Sequence, residues 1–479
     1  MSDLLRQHVR YAARGLTRSP IFALVAVLSV AIGSGATTGI VTLFDTMLLR
    51  PPPGVGHAER LVTVGRTQDG RGFDNFSFPT FEAYREARSL SGLAALDIDP
   101  QAVSLAGPTG GEPIHLSAVS ANLFDVLEAH PASGRFFVPD DDVVPGANPV
   151  VVLSHDFWKR RFAADPSILG RPVVLNGTPF TVVGVAARGF RGPFALAPDV
   201  WVPLAATTHL GMPAGMFTLR AGSWLMAIGR LAPSAGLGQA RAELATIAAR
   251  LAQDYPDAYD GQGVAVERAT LFPGDIGSAI GGFLGLLLAI AGLVLIIAST
   301  NVAGMLLARA AARRREIAVR LALGASRAQL VGQLVMECLL LFGAAGLAGL
   351  VIAHWLVVGA LALVPSLPMP LALDPHLDWR VLGFAFVVSL VTGLLAGVVP
   401  ALQSTHPDLV PALKSGASSG GGGPRLRLRS GLLVVQIALS MVLLKVAGLF
   451  ARTLAHARAI DPGFEPRDVY VASLDLGLA

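Results

Sequence analysis

The side chains best suited to chemistry cluster in a basic segment, residues 309–329, between two long apolar runs. This segment of 21 residues has one acid, Glu316, and six arginines: Arg309, Arg313, Arg314, Arg315, Arg320 and Arg327. Gly324 is typical of a helix end, and Ser326 with Gln329 fits a capping box at the start of the next helix. The pattern therefore predicts a short charged helix, a break and a new helix. A tether would not need a capped helix, so we expect a partner to dock here.

Motifs for catalysis are absent from the sequence. A phosphate-binding P-loop needs a Gly-Lys pair, and no Gly-Lys dipeptide occurs, so any ATP must be bound by a separate subunit. There is no HExxH pair, and the single cysteine, Cys338, excludes a CxxC motif. Residues 416–420 (GASSG) match the nucleophile pattern GxSxG, but they lie in a Gly-rich linker and we interpret the match as chance. We expect no catalytic residue, metal or cofactor, and we predict that the chain is not an enzyme.

Three ionisable residues lie within apolar runs, where such groups are functional candidates by default. Glu337 lies close to the basic segment, and His354 lies nearer the other end of the same run. Lys445 is deeper in another run, where it either extends toward the interface or pairs with an acidic group. A proton relay needs several such groups to converge, and these three lie at different depths. The sequence therefore argues against proton transport.

The composition indicates a membrane protein. Of the 479 residues, 53% are hydrophobic and 15% are charged, and the mean hydropathy is +0.59. The net charge is +4, but the arginines lie beside apolar runs, where the positive-inside rule explains them. We therefore expect membrane lipids, and no nucleic acid, as the partners of these charges.

Five membrane spans are predicted, at residues 21–44, 282–308, 330–364, 380–402 and 432–454. The third run is longer than one crossing needs, so it must tilt or project from the membrane. The first and fourth spans carry Gly35-x-x-x-Gly39 and Gly393-x-x-x-Gly397. This spacing is typical of a face on which another helix packs closely, although such pairs are common in spans.

Residues 1–20 place four arginines at i, i+4 spacing: Arg6, Arg10, Arg14 and Arg18. This pattern predicts a cytoplasmic amphipathic helix that faces anionic lipid head groups. The alternative is the basic start of a signal peptide, cleaved near residues 34–36. Because the basic part is long and the apolar run continues to Leu49, we favour the amphipathic helix.

Residues 54–275 have the character of a soluble mixed α/β domain, with one or two lobes. The predicted strands are 60–66, 150–153, 172–175, 180–185 and 200–202, and the predicted helices are 78–88, 155–162 and 237–253. The predicted fold class is therefore a membrane protein: an α-helical transmembrane bundle of about five spans, with a large extracytoplasmic α/β domain inserted between spans one and two.

The arginines predict the topology. Residues 1–20, the segment 309–329 and the Gly/Ser/Arg linker 403–430 are basic and should be cytoplasmic. The domain 54–275, the loop 365–379 and the tail 461–479 should then lie on the other side. Every predicted loop agrees with this alternation.

The whole chain resembles the MacB/FtsX-like class of ABC transporter permeases, which are bacterial and usually lie in the inner membrane. The most specific likeness is in residues 299–309 (STNVAGMLLAR) and 315–327 (REIAVRLALGASR). Four motifs in the soluble region are similar to the MacB-type periplasmic core: 119–127 (VSANLFDVL), 134–137 (GRFF), 153–162 (LSHDFWKRRF) and 170–177 (GRPVVLNG).

The resemblance implies that the periplasmic domain has two subdomains, one inserted within the other. It also implies that the cytoplasmic segment is a coupling helix that docks on a separate ABC ATPase, through Arg315, Glu316, Arg320, Leu323 and Gly324. ATP-driven closure would then move the periplasmic domain for efflux or extraction of a substrate, a mechanism called mechanotransmission. The alternative is an FtsX-like regulatory protein that activates a periplasmic partner without transport.

The fifth span departs from the four-span unit of this class. Residues 432–454 and 461–474 repeat the order of span, Pro/Gly turn and strand that occurs at 21–66, and this looks like the start of a second copy. We therefore expect a duplicated-permease type of which the sequence is a fragment or a truncated form, with 461–479 beginning a second periplasmic domain. Expected partners are a second permease half or a dimer mate, and a periplasmic adaptor.

Overall fold

The computed structural model describes residues 17, 19–97, 100–107, 110–142, 148–312, 319, 326–362, 379–404 and 424–458. The described residues form two compact units, which are treated separately below. The soluble unit is Asp45–Gly282, and the helical unit combines the described residues up to Phe44 with those from Phe283 onward.

The α-helices of the described chain, in order, are α1 (Pro20–Phe44), α2 (Phe78–Tyr84), α3 (Leu123–Val126), α4 (His155–Phe162), α5 (Leu237–Asp254), α6 (Pro256–Tyr259), α7 (Gly274–Ala312), α8 (Arg327–Ala362), α9 (Trp379–Ser404) and α10 (Pro424–Arg458). A π-helical turn, Asp45–Leu49, follows α1 directly.

Four helical stretches are long and apolar enough to cross a membrane: Pro20–Leu49, Gly274–Arg309, Leu330–Ala362 and Leu433–Thr453. The predicted fourth span, 380–402, corresponds to helix α9, whose apolar part in the described chain, Arg380–Leu395, is shorter. The chain is therefore a multi-pass membrane protein. Most of 1–20 and 309–329, and all of 365–378 and 461–479, lie outside the described residues.

Two helix boundaries differ in how well the sequence predicted them. Helix α8 begins at Arg327, directly after Ser326, which confirms the start predicted from the capping signal. Helix α10 begins at Pro424, so the prediction that the whole of 403–430 is a linker is wrong at its end. Pro424 is compatible with the first helical turn, since its missing N–H would have no partner there. Arg425 and Arg427 follow it, and arginine has a high helix propensity, so the residues that predicted a cytoplasmic position also favour a helix.

In the helical unit, α1 packs against α7 and α8. One apolar cluster joins the three helices, and its buried members are Ala26, Val30, Leu295, Val302, Ala303, Leu306, Cys338, Leu341, Phe342 and Ala345. Helix α10 differs, because no residue of its apolar stretch, Leu433–Thr453, is buried.

The soluble unit is built on one sheet of twelve strands in the described chain: β1 (Leu61–Gln68), β2 (Arg71–Asp74), β3 (Leu90–Asp97), β4 (Gln101–Gly107), β5 (Gly110–Val119), β6 (Pro131–Gly134), β7 (Val150–Leu153), β8 (Pro172–Leu175), β9 (Thr178–Ala186), β10 (Val200–Pro203), β11 (Leu225–Leu231) and β12 (Gln262–Arg268).

The sheet closes on itself in part. Strand β10 pairs antiparallel with β7 and parallel with β5, so the order β5-β10-β7-β9-β8-β4 forms a ring. Strands β3, β11, β1 and β12 continue the sheet from β5 as an open extension. The ring strands lie in the chain between β3 and β11, which is the connectivity that an inserted subdomain produces.

The five predicted strands and three predicted helices of this unit are confirmed, with boundaries shifted by a few residues. Ser77 and Ser154 cap helices α2 and α4, because the hydroxyl of each accepts a hydrogen bond from the N–H three residues later. Strands β2 to β6, β11 and β12 were not predicted. Strand β11 (LMAIGRL) is buried along its whole length and therefore lacks the alternating pattern that marks a strand.

Candidate functional site

The described site lies where three helices meet beside the basic segment 309–329. Arg309 of α7 and Glu337 of α8 form an ion pair, with 2.8 Å between Nη1 and Oε1. Their side chains are 15% and 6% exposed. The Arg309 guanidinium also lies over the ring of Phe22 in α1, with 4.9 Å from Cζ to the ring centroid. One cation therefore contacts all three helices.

The position of this ion pair is set by the helices on both sides of the basic segment. Arg309 is the first residue of the segment, and Glu337 lies about two helical turns beyond its last residue, Gln329. The ion pair thus links the helix that enters the basic segment, α7, to the helix that leaves it, α8. Because the surroundings are the apolar cluster around Leu306 and Leu341, the interaction acts in a medium of low polarity.

Glycines let α1 approach its neighbours closely. A Cβ atom on Gly35 would lie 2.7 Å from the carbonyl oxygen of Gly349 in α8, a distance that no real Cβ tolerates. Gly39 is the next glycine on this face, and a Cβ there would lie 3.2 Å from Leu356. A Cβ on Gly33 would lie 2.8 Å from the Cα of Leu295, so α7 is equally close on another face.

Helix α9 packs on α8 in the same manner. A Cβ on Gly393 would lie 2.9 Å from the Phe342 Cβ atom, and one on Gly346 would lie 2.8 Å from the Ser389 hydroxyl. Gly397 is part of α9, but its surroundings lie outside what the structure describes. The helices α1, α8 and α9 are thus held at small separations by backbone contact, which is the usual basis of helix association in lipid.

The predicted docking residues Arg315, Glu316, Arg320, Leu323 and Gly324 all lie outside the described residues. What the structure adds is the pair that flanks them. The sequence marked Glu337 as a candidate, but not its partner, and it gave no sign of Phe22. A carboxylate in an apolar run needs a cation, but Arg327 and Arg320 are nearer to Glu337 in the sequence than Arg309 is, so the sequence alone could not identify the partner.

The other two ionisable candidates do not join this site. His354 lies in α8 with its side chain exposed on the helical unit, next to the exposed Trp355. Lys445 is exposed on α10. Among the residues that the structure describes, no group of three or more His, Cys, Asp or Glu side chains is arranged to hold a metal ion.

Two family models match the chain. The MacB-like periplasmic core domain matches residues 23–247, and the FtsX-like permease C-terminal model matches residues 288–409. The first match includes most of α1 and the soluble unit up to α5. The second contains the basic segment, Arg309, Glu337 and helices α8 and α9, and it ends before α10.

Similar proteins include the macrolide export ATP-binding/permease protein MacB of Hyphomonas neptunium, which is 29% identical over 283 residues, 59% of this chain and 40% of that protein. The pyoverdine export ATP-binding/permease protein PvdT of Pseudomonas syringae is 27% identical, again over 59% of this chain and 40% of that protein. The chain therefore spans less than half the length of these two relatives. The uncharacterized ABC transporter permease YknZ of Bacillus subtilis is 22% identical over 86% of this chain and 99% of its own length.

Among solved structures, the periplasmic region of MacB from Actinobacillus actinomycetemcomitans is similar, with a TM-score of 0.34 and 17% sequence identity. The match covers 50% of this chain and 97% of that structure.

Proposed function

We propose that this chain, which is an ABC transporter permease of the MacB/FtsX-like class, passes the motion of a separate ABC ATPase to its large soluble domain. Two family models support the class, and together they contain the helical unit from α1 to α9 and most of the soluble unit. In this proposal the chain binds no ATP and catalyses no reaction. Its contribution to the efflux or extraction of a substrate is the movement of its soluble domain, and it provides no catalytic site.

The observation that carries the proposal is the ion pair between Arg309 and Glu337, with Phe22 against the cation. A force applied to the basic segment acts on α7 and α8 at the two ends of that segment. The buried pair resists separation of the two helices, because separation would break a contact between opposite charges in an apolar environment. Phe22 extends the same connection to α1, the helix that leads into the soluble unit.

The ATPase is proposed to dock on Arg315, Glu316, Arg320, Leu323 and Gly324. The test is co-purification of the chain with its ATPase, repeated with Glu316→Arg and with Leu323→Asp. Both variants should lose the complex, because one reverses a charge and the other places a carboxylate in an apolar contact. Lys159→Glu, a charge reversal on an exposed residue of the soluble unit, is the matched control and should retain it. A complex that survives both variants would show that the ATPase docks elsewhere.

Docking and transmission are separable. Glu337→Gln leaves the sequence 309–329 intact, so the complex should still form. The broken ion pair should nevertheless reduce the stimulation of ATP hydrolysis by substrate. If Glu337→Gln retains both the complex and the wild-type stimulation, the ion pair is not part of the transmission path.

The proposed orientation places the N-terminus and the basic segment in the bacterial cytoplasm and the soluble unit in the periplasm, with the helices in the inner membrane. Arg160→Cys provides a test, since the Arg160 side chain is 60% exposed and the native Cys338 is buried. A membrane-impermeant maleimide should label the variant in intact spheroplasts. If the variant is labelled only after lysis, the proposed orientation is wrong.

The direction of transport is proposed by analogy with relatives whose names state export, of macrolides in one case and of pyoverdine in the other. The proposed assembly contains a second permease half or a second copy, which would cover the exposed apolar stretch of α10. A periplasmic adaptor is the further proposed partner. Accumulation of substrate in a deletion strain would support export, and its absence would favour an FtsX-like regulatory function instead.

A further inference from the structure

The soluble unit has two connections to the membrane spans, and both join the sheet at the same end of the neighbouring strands β1 and β12, where Val62 lies opposite Arg268. The first is the stretch 50–60 after α1, here called the entry linker. The second is the stretch 269–274, which runs from β12 to α7 and is here called the exit linker. The entry linker has three consecutive prolines and then only a short 3-10 turn, Ala58–Arg60, so its own backbone hydrogen bonds hold it weakly.

A buried arginine holds the entry linker to the sheet. Arg230 of β11 is 5% exposed. Its Nη2 donates to the carbonyl oxygen of Gly56 at 2.7 Å, and its Nη1 donates to that of His57 at 3.0 Å. Its Nε donates to the carbonyl oxygen of Val126 at 2.8 Å. Glu128 is the nearest acid, with 3.4 Å between Oε1 and Nη1.

Two more arginines complete these contacts. Arg60 of the entry linker donates through Nε, at 3.1 Å, to the carbonyl oxygen of Leu231, the residue after Arg230. Arg268, the last residue of β12, donates to the carbonyl oxygen of Glu59 at 3.2 Å. The backbone N–H of Ala269 donates to the carbonyl oxygen of Leu61. The entry linker is therefore bonded both to the middle of the sheet and to the end of β12, directly before the exit linker begins.

The cation makes this attachment stronger than neutral hydrogen bonds would. A guanidinium stays charged in a protein, and hydrogen bonds from a charged donor are roughly twice as strong as neutral ones. Burial is the largest influence on the pKa of Arg230 and lowers it, while an arginine side chain keeps its charge in proteins. If the entry linker moved away from the sheet, the buried charge would lose two of its three carbonyl partners.

We propose that Arg230, supported by Arg60 and Arg268, is the positioning residue that joins the two membrane connections of the soluble unit into one body, so that displacement of α1 moves the sheet instead of stretching the entry linker. This inference rests on the proposed function for its purpose, but the attachment itself is testable without an ATPase.

The first experiment measures hydrogen exchange in the full chain, in lipid nanodiscs, without nucleotide. The Gly56 N–H donates to the Leu127 carbonyl oxygen, and the Arg60 N–H donates to that of His57, so both report on the linker. Arg230→Met should speed exchange of peptides covering 54–60 by about tenfold. Arg230→Lys should give an intermediate value, since an ammonium cannot reach three carbonyl oxygens in a planar fork. Arg250→Met, which breaks only the exposed contact with Glu86, is the matched control and should leave these peptides unchanged.

The second experiment adds the ATPase, ATP, Mg²⁺ and vanadate, and compares exchange with and without nucleotide. In wild type the proposed function predicts a nucleotide-dependent change both in α7 and α8 and in the soluble unit. Arg230→Met should keep the change in the helices and lose that in the soluble unit. Arg60 is only half-buried, so Arg60→Met should disturb folding less. This variant should also reduce the nucleotide-dependent change in the soluble unit.

The outcomes separate the two ideas. No nucleotide-dependent change in the wild-type soluble unit would reject the proposed function while leaving the first experiment to decide the attachment. A loosened linker with an unaltered soluble-unit response in both Arg230→Met and Arg60→Met would overturn the inference. Unaltered exchange of the entry linker in both variants would also overturn the inference. This conclusion would hold even if transport by the wild type were demonstrated.

Discussion

Two arginines in different regions of the molecule are both nearly buried, yet different groups compensate their charges. In the helical unit, Arg309 pairs with a carboxylate, at 2.8 Å from Glu337. In the soluble unit, Arg230 donates to three backbone carbonyl oxygens, and its nearest acid, Glu128, is more distant at 3.4 Å. The same guanidinium thus joins side chain to side chain in one region and side chain to backbone in the other.

The difference follows from where free carbonyl groups exist. In the interior of a membrane helix the carbonyl groups already accept intrahelical hydrogen bonds, and the hydrocarbon of the lipid offers no acceptor, so a carboxylate is the more accessible partner for a buried cation. The entry linker has no regular hydrogen bonding, and its carbonyl groups at Gly56 and His57 are available. A side-chain pair fixes two helices relative to each other. A cation bound to carbonyl oxygens fixes the path of the chain itself.

The largest expected effect comes from breaking the pair in the helical unit. Glu337→Ala leaves the Arg309 charge without its carboxylate, and we expect a loss of about 3–5 kcal/mol in the free energy of unfolding. The double variant Arg309→Met with Glu337→Leu removes both charges and should lose far less. Unfolding by denaturing detergent in mixed micelles provides the measurement. If the single variant were no less stable than the double variant, the pair would not be the element that holds α7 to α8.

A second expected effect compares two glycines of the helical unit. Gly35→Ala forces a Cβ against the Gly349 carbonyl oxygen, so we expect a loss of about 1–3 kcal/mol. Gly359→Ala, in α8 where a Cβ meets nothing within 4 Å, should be neutral or gain up to about 1 kcal/mol of helix stability. The same micelle unfolding assay applies. Equal effects of the two variants would mean that α1 and α8 do not rely on close backbone contact.

The two regions also differ in how far the sequence alone could predict them. Long apolar runs predicted four helices that are long enough to span a membrane, and Ser326 marked the start of one of them, α8. The Gly35 and Gly39 spacing predicted a packing face, while the partner surface around Gly349 needed the structure. In the soluble unit, β3 and β11 pair with each other over a long register but were missed, because their alanines and glycines carry little strand preference.

The chemistry of the two arginines was less predictable still. Glu337 could be singled out because an acid in an apolar run is unusual. Arg230 gave no such signal, because an arginine near the end of a strand is ordinary in a soluble domain. Its acceptors come from residues more than 100 positions away in the sequence, and backbone carbonyl groups leave no mark on residue type. Contacts to backbone over that distance emerge only when the chain is folded.

The smallest expected effect is a pH dependence of the entry linker in the soluble unit. The hydrogen bond from His57 Nδ1, at 2.7 Å, holds the pKa of Glu128 below its ordinary value of 4.5, and the charges of Arg230 and Arg60 act in the same direction. A lowered carboxyl pKa stabilises the fold above the ordinary value, and this contribution is lost as the pH falls through the lowered pKa. Protection of the Gly56 amide against exchange, corrected for intrinsic rates, should therefore decline as the pH falls below 4.5, the ordinary value for a glutamate carboxyl. Glu128→Gln should abolish the decline, and an unchanged decline in that variant would assign it to another acid, of which Glu59 in the entry linker is the nearest candidate.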